Sequence, residues 1–173
     1  MSGFGLSGWM VAPFSVGAGP GGGTTIAGVR ALVQRVRWAH VDVAGERVGE
    51  IGPGLCALIG VTHGDGPPLA ARMATKIARL RVFDDSAGVM NRSVLDTGGE
   101  VLVVSQFTLY GDTTRGRRPS WIEAARPGEA EPIIDLLVEE LASLGVTVAT
   151  GRFRADMDVC LCNDGPVTLM LEL

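Results

Sequence analysis

A chain of 173 residues with 46% apolar and 20% charged side chains can fill one compact core, and two domains would be cramped in it. Its formal net charge of −4 excludes wholesale polyanion binding but permits a local basic patch, and no stretch approaches the roughly 20 uninterrupted apolar residues of a membrane span. Three cysteines, Cys56, Cys160 and Cys162, lack CxxC spacing; with His40 and His63 the only histidines, they argue against zinc and a disulfide framework and for a reducing, cytoplasmic setting.

Residues 1–28 hold nine glycines, two prolines and no charged side chain. Without a positive n-region this is no secretory signal, and its composition predicts a disordered extension ahead of a single domain over 29–173. Val29 is an alternative start of translation, because the patterned sequence begins at once with Arg30.

Residues 30–43 read as a strand in which Arg35 and Arg37 alternate with Val36 and Trp38. The phase slips after Ala39, where His40 and Asp42 become the polar set, so a bulge or turn is expected there. Residues 48–51 form a short strand, 52–54 a turn, and the apolar run 55–61 a strand covered on both faces. Asp65-Gly66-Pro67 opens a helix carried by Leu69, Met73, Ile77 and Leu80. After a buried strand at 101–104, Ile133, Leu137, Leu141 and Leu144 mark a second helix that Gly145 stops. Strands follow at 146–150, 158–162 and 167–171, the last two joined by a tight Asn-Asp-Gly-Pro connection. Many strands with two substantial helices indicate an α+β fold, a curved mixed sheet or partly closed β-barrel with helices packed on it.

Chemistry concentrates after the strand at 101–104. Ser105-Gln106-Phe107-Thr108 places polar groups at the end of a buried strand, which is either a functional display or a strand leaving the core. The loop 112–120 carries Arg115, Arg117 and Arg118 among hydroxyls and glycine, suited to phosphate oxygens or to a solvated turn. There is no GxSxG elbow, Walker loop, HExxH or dinucleotide fingerprint, and neither histidine is near Ser105 or Thr168 in sequence. An enzyme of this composition relies on oriented dipoles and on its substrate's own groups.

The pair Ser105-Gln106-Phe107-Thr108 and Asn163-Asp164-Gly165-Pro166-Val167-Thr168, with the opening strand through Val33-Gln34-Arg35-Val36, resembles the D-aminoacyl-tRNA deacylases. The similarity covers 29–173; Val29 stands where Met is usual, Gly111 where Ala is frequent, and the extension has no counterpart. It implies hydrolysis of the ester between a D-amino acid, or mischarged glycine, and the terminal adenosine of tRNA, without cofactor or metal. It further implies a homodimer in which a cis Gly165-Pro166 peptide enters the partner's active site. There the two carbonyls would hold the α-amino group and occupy the space of an L side chain, with Asn163, Val167 and Arg35 shaping the motif. Main-chain N–H groups near Phe107 and Thr108 would stabilise the oxyanion, Ser105 and Gln106 would orient the ester and adenosine, and Thr168 is the competing nucleophile. The rival classes are a non-catalytic tRNA-binding module and a small-molecule esterase on the same scaffold.

Overall fold

The computed structural model describes residues 28–114 and 116–173, so residues 1–27 of the expected extension over 1–28, and the loop residue Arg115, lie outside the described residues. The chain opens with β1 (Arg30–Val43), β2 (Glu46–Ile51) and β3 (Gly54–Gly60), followed by α1 (Pro67–Ala78). A small hairpin of β4 (Phe83–Asp84) and β5 (Met90–Arg92) and a short α2 (Val94–Thr97) lead into β6 (Glu100–Ser105). A 3-10 turn (Phe107–Tyr110), α3 (Pro127–Ser143), β7 (Thr147–Thr150) and β8 (Asp158–Glu172) complete it.

The main sheet runs β2-β1-β3-β6-β7, with β8 on the other edge of β1. β1 is antiparallel to β2, β3 and β8, whereas β3, β6 and β7 run parallel. The parallel strands explain the continuous apolar runs, because both faces are covered. Leu55, Ala57, Ile59, Val101 and Val103 pack beneath α1 and α3 with Met73, Ile77, Leu137 and Leu141. Cys56, Leu102 and Val104 face the opposite way, into a second cluster with Val36, Ala39, Val41 and Ile51. That second cluster is enclosed because β2 curls towards β7: a Cβ at Gly49 would stand 2.3 Å from the Thr150 carbonyl oxygen. The result is the expected α+β architecture, a nearly closed, barrel-like mixed sheet with helices against it.

Two sequence expectations are corrected. The phase of β1 slips earlier than Ala39: Arg35 and Val36 are both buried and Arg37 and Trp38 both exposed. The slip falls where Val36 and Trp38 of β1 oppose consecutive residues of β8, Asn163 and Cys162, which leaves Arg37 as the extra residue. Residues 163–166 do not connect two strands, for β8 is continuous and pairs with β1 on both sides of them. Gln34 is opposite Thr168 and Val36 opposite Asn163, so Arg35 alone faces 164–167, which bulge outward. Arg35 itself stays on the face of Ala31 and Val33 and is 8% exposed, contrary to the exposed position its alternation with Val36 implied.

Candidate active site

Ser105 is the last residue of β6, in register with Ile59 near the end of β3. Gln106 N donates to the Ile59 carbonyl at 2.7 Å, and the chain then winds into the 3-10 turn. Hydrogen bonding of that turn starts with Leu109 N, which donates to the Gln106 carbonyl at 3.2 Å. Phe107 and Thr108 therefore occupy the positions whose N–H groups have no helical acceptor. Phe107 is 54% exposed, and Gln106 Nε2 donates to Thr108 Oγ1.

These residues border a cavity of about 650 Å³. Ser105, Gln106 and Phe107 form one wall; Trp121, Arg126 and Ala130 from the strap before α3 and its first turn form another. Phe153, Asp156 and Met157, between β7 and β8, close the third side. Trp121 packs edge-on against Phe107 with ring centroids 5.3 Å apart. The strap is tied down by Thr62, which donates to the Glu123 carbonyl at 2.5 Å, and by His63, which bridges the Ile122 carbonyl at 3.0 Å and Glu129 at 3.3 Å. The wall residues from 121–130 and 153–157 were invisible to the sequence reading, because their segments show neither strand nor helix periodicity where they meet the cavity.

The basic loop rises beside this mouth. Asp112 and Ser120 exchange backbone hydrogen bonds at 2.9 and 2.8 Å, which closes the loop at its base next to Trp121. Arg117 and Arg118 stand exposed on it. No three His, Cys, Asp or Glu side chains among the described residues gather to hold a metal. Burial pushes the Cys56 thiol up to about 11, which suits a core residue and not a nucleophile.

The second group of predicted residues lies elsewhere on the same subunit, at the β8 bulge. The Gly165-Pro166 peptide is cis, both residues are exposed, and Gly165 has φ +134°, a value closed to L side chains. Asn163 clasps the base of the bulge: its Oδ1 accepts from Val167 N at 2.8 Å and its Nδ2 donates to the Val167 carbonyl at 3.2 Å. Arg35 grips the bulge from below, Nε donating to the Asp164 carbonyl at 3.0 Å while Nη1 donates to the Val82 carbonyl at 2.5 Å. Arg37 Nε adds an exposed pair to Asp164 Oδ1 at 3.1 Å. Thr168 Oγ1 accepts from Asn163 Nδ2 at 3.0 Å and from Gln34 Nε2 at 3.2 Å. Both donors are amides, and an amide cannot serve as the base that a threonine nucleophile requires.

None of residues 163–168 lines the cavity, although Val159 near the start of β8 does. β8 and β6 are three strand spacings apart, roughly 14 Å across the sheet, with β1 and β3 between them. The bulge also sits opposite Arg35, while Ser105 aligns through Ile59 with Ala31.

Comparison with known proteins places the whole described fold. The family model for D-Tyr-tRNA(Tyr) deacylase matches residues 32–172. A D-aminoacyl-tRNA deacylase of Heliobacterium modesticaldum is 58% identical over 144 residues, covering 83% of this chain and 96% of that protein. Its counterpart from Thermomicrobium roseum is 57% identical over 144 residues, 83% of this chain and 94% of that one. Among solved structures, one described as c-Myc DNA Unwinding Element Binding Protein superposes with a TM-score of 0.78 at 38% identity, covering 83% of this chain and 98% of that one. Another, described as a probable eukaryotic D-amino acid tRNA deacylase, shares the fold alone, with a TM-score of 0.73 at 15% identity over 84% of this chain and 99% of that one.

Proposed function

The chain belongs to the D-Tyr-tRNA(Tyr) deacylase family, and from that premise we propose that it is an ester hydrolase that removes D-amino acids from tRNA and spares L-aminoacyl-tRNA. The observation that carries this reading is the match over 32–172, within which Ser105, Gln106 and Phe107 line the cavity. The N–H groups of Phe107 and Thr108 receive the oxyanion as water adds to the ester carbonyl, and Ser105 and Gln106 orient the ester and the terminal adenosine. The carbonyl carbon's bond to the ribose 3′ oxygen then breaks, and that oxygen takes the proton the water gives up. The vicinal 2′-hydroxyl positions the water. Arg117 and Arg118, with Arg115, meet phosphates of the acceptor end beside the mouth. Thr168 supports the neighbouring motif and does not attack.

Chirality is read by exclusion. The carbonyl oxygens of Gly165 and Pro166 hold the α-amino group and occupy the space an L side chain would need, so a D side chain needs no pocket of its own. Glycine mischarged on tRNA(Ala) has nothing to exclude and is cleaved as well. Because no residue of the bulge lines its own cavity, the motif serves the partner's site in a homodimer. The long outer edge of β8 supports this pairing: Leu169 and Met170 are exposed along it, a surface that a solitary protein rarely leaves uncovered. A cytoplasmic proofreading role during translation follows from the substrate.

The test charges one tRNA separately with the D and L forms of an amino acid. We expect the D ester to be hydrolysed and the L ester to persist. Equal loss of both forms overturns selection by exclusion, and loss of neither leaves only a binding module.

A further inference from the structure

We propose that Arg30 is a positioning residue for the turn that presents the Phe107 and Thr108 N–H groups, acting through the carbonyl of Leu109. The inference rests on the hydrolytic reading above. Arg30 Nη1 donates to the Leu109 carbonyl at 2.9 Å, at the closing end of the 3-10 turn. A cation there meets the negative end of the turn's aligned peptides, in the sense long established for helix termini. The same guanidinium lies over the Tyr110 ring, 4.6 Å from its centroid, and forms an ion pair with Glu172, Oε1 standing 2.9 Å from Nε without hydrogen-bond geometry. A planar fork makes these three contacts at once, which a lysine ammonium cannot.

The turn has a floor as well as a clamp. Arg30 is paired across the strands with Gly60 on one side and Glu172 on the other. A Cβ at Gly60 would be 3.1 Å from both Leu109 Cβ and Tyr110 Cε2, so the turn rests directly on the last residue of β3. Tyr110 donates its hydroxyl to the Gly28 carbonyl, which pins the ring beneath the guanidinium. The closing half of the turn is thus held between β3 and Arg30, while at its opening end Phe107 lines the cavity and Thr108 is exposed next to it. Four residues in one 3-10 turn move as a unit, so releasing Leu109 displaces the two N–H donors. Donors aimed at a developing oxyanion tolerate little displacement, for misplacement by about 1 Å costs on the order of a hundredfold in rate.

Single-turnover hydrolysis of a D-aminoacyl-tRNA by the full chain, over a range of enzyme concentrations, separates rate from affinity. For Arg30→Met we expect the maximal rate to fall roughly ten- to a hundredfold, with the half-saturating concentration unchanged and the rate loss far out of proportion to any fall in melting temperature. Arg30→Lys should recover part of that rate. A maximal rate equal to wild type in Arg30→Met, a loss confined to affinity, or a loss that tracks melting temperature across the variants overturns the assignment. Should Arg30→Met fail to fold, Arg30→Lys decides: a lowered maximal rate at unchanged affinity supports the role and an unchanged rate sinks it. A wild-type chain that cleaves no D-aminoacyl-tRNA refutes the hydrolytic reading itself, an outcome distinct from an active wild type with an indifferent Arg30 variant.

Discussion

Arg35 and Thr168 show how one residue's meaning depends on its partners. In the sequence Arg35 alternates with Val36 like any surface strand arginine; in the fold it is buried with two carbonyls, of Val82 and Asp164, as acceptors. A buried cation without partners is expensive, so its hydrogen bonds are what allow it to hold the bulge from inside. Thr168 is the opposite case, a residue that chemistry nominates and geometry demotes. Its hydroxyl oxygen already accepts two amide donors, from Gln34 and Asn163. Thr168→Val keeps the shape and removes the acceptor, so we expect about 1 kcal/mol of lost stability and deacylation near the wild-type rate. Quenched-flow rates and mass spectrometry of the quenched enzyme check this; an inactive variant together with a threonyl ester in the wild type overturns it.

At the scale of elements, the β8 bulge is a rigid projection and not a loose turn. Asn163 acts as an internal cap, closing its base with one accepted and one donated bond to Val167. Gly165 can bear no side chain, since a Cβ there would be 2.8 Å from Val167 Cγ2 and 3.0 Å from Val167 N. Asn163→Ala leaves the Val167 N–H and carbonyl unsatisfied, which should cost about 1–3 kcal/mol locally while the sheet persists. Hydrolysis of D-aminoacyl-tRNA should slow by roughly tenfold or more as the two carbonyls lose their fixed aim. Chemical denaturation and the deacylation rate measure the two effects, and an unslowed enzyme would show that rigidity of the bulge is dispensable. The 3-10 turn is gripped at its closing end by Arg30 and exposed at the other through Phe107.

For the whole molecule, the decisive fact is that no residue of the 164–167 bulge lines the cavity. Sites completed in trans make a sharp prediction. Gly165→Ala disables only the donated motif, and Gln106→Ala only the receiving cavity. A heterodimer of the two variants therefore contains one site with both parts wild type and one with both parts altered. Mixed or co-expressed subunits should regain activity that neither homodimer possesses, read as deacylation by the purified heterodimer. If the heterodimer stays as inactive as its parents, each subunit uses its own bulge, and the proposed exchange is wrong.

Local pattern alone determined much of this protein: the strands of the main sheet except the continuity of β8, both long helices and the glycine stop of the second, the α+β class, and the two motifs that mark the family. Those signals are legible because apolar periodicity and turn chemistry are set by residues close in the chain. Tertiary structure alone decided that 164–167 bulge from a continuous strand and that no connection joins two strands there, because β8 meets the same neighbour on both sides of them. It alone buried Arg35, brought Trp121, Phe153 and Met157 to the wall beside Ser105, and set Arg30 against the turn at Leu109. Each is a contact between residues far apart in the chain, and register between distant strands is fixed by the packing of the whole sheet.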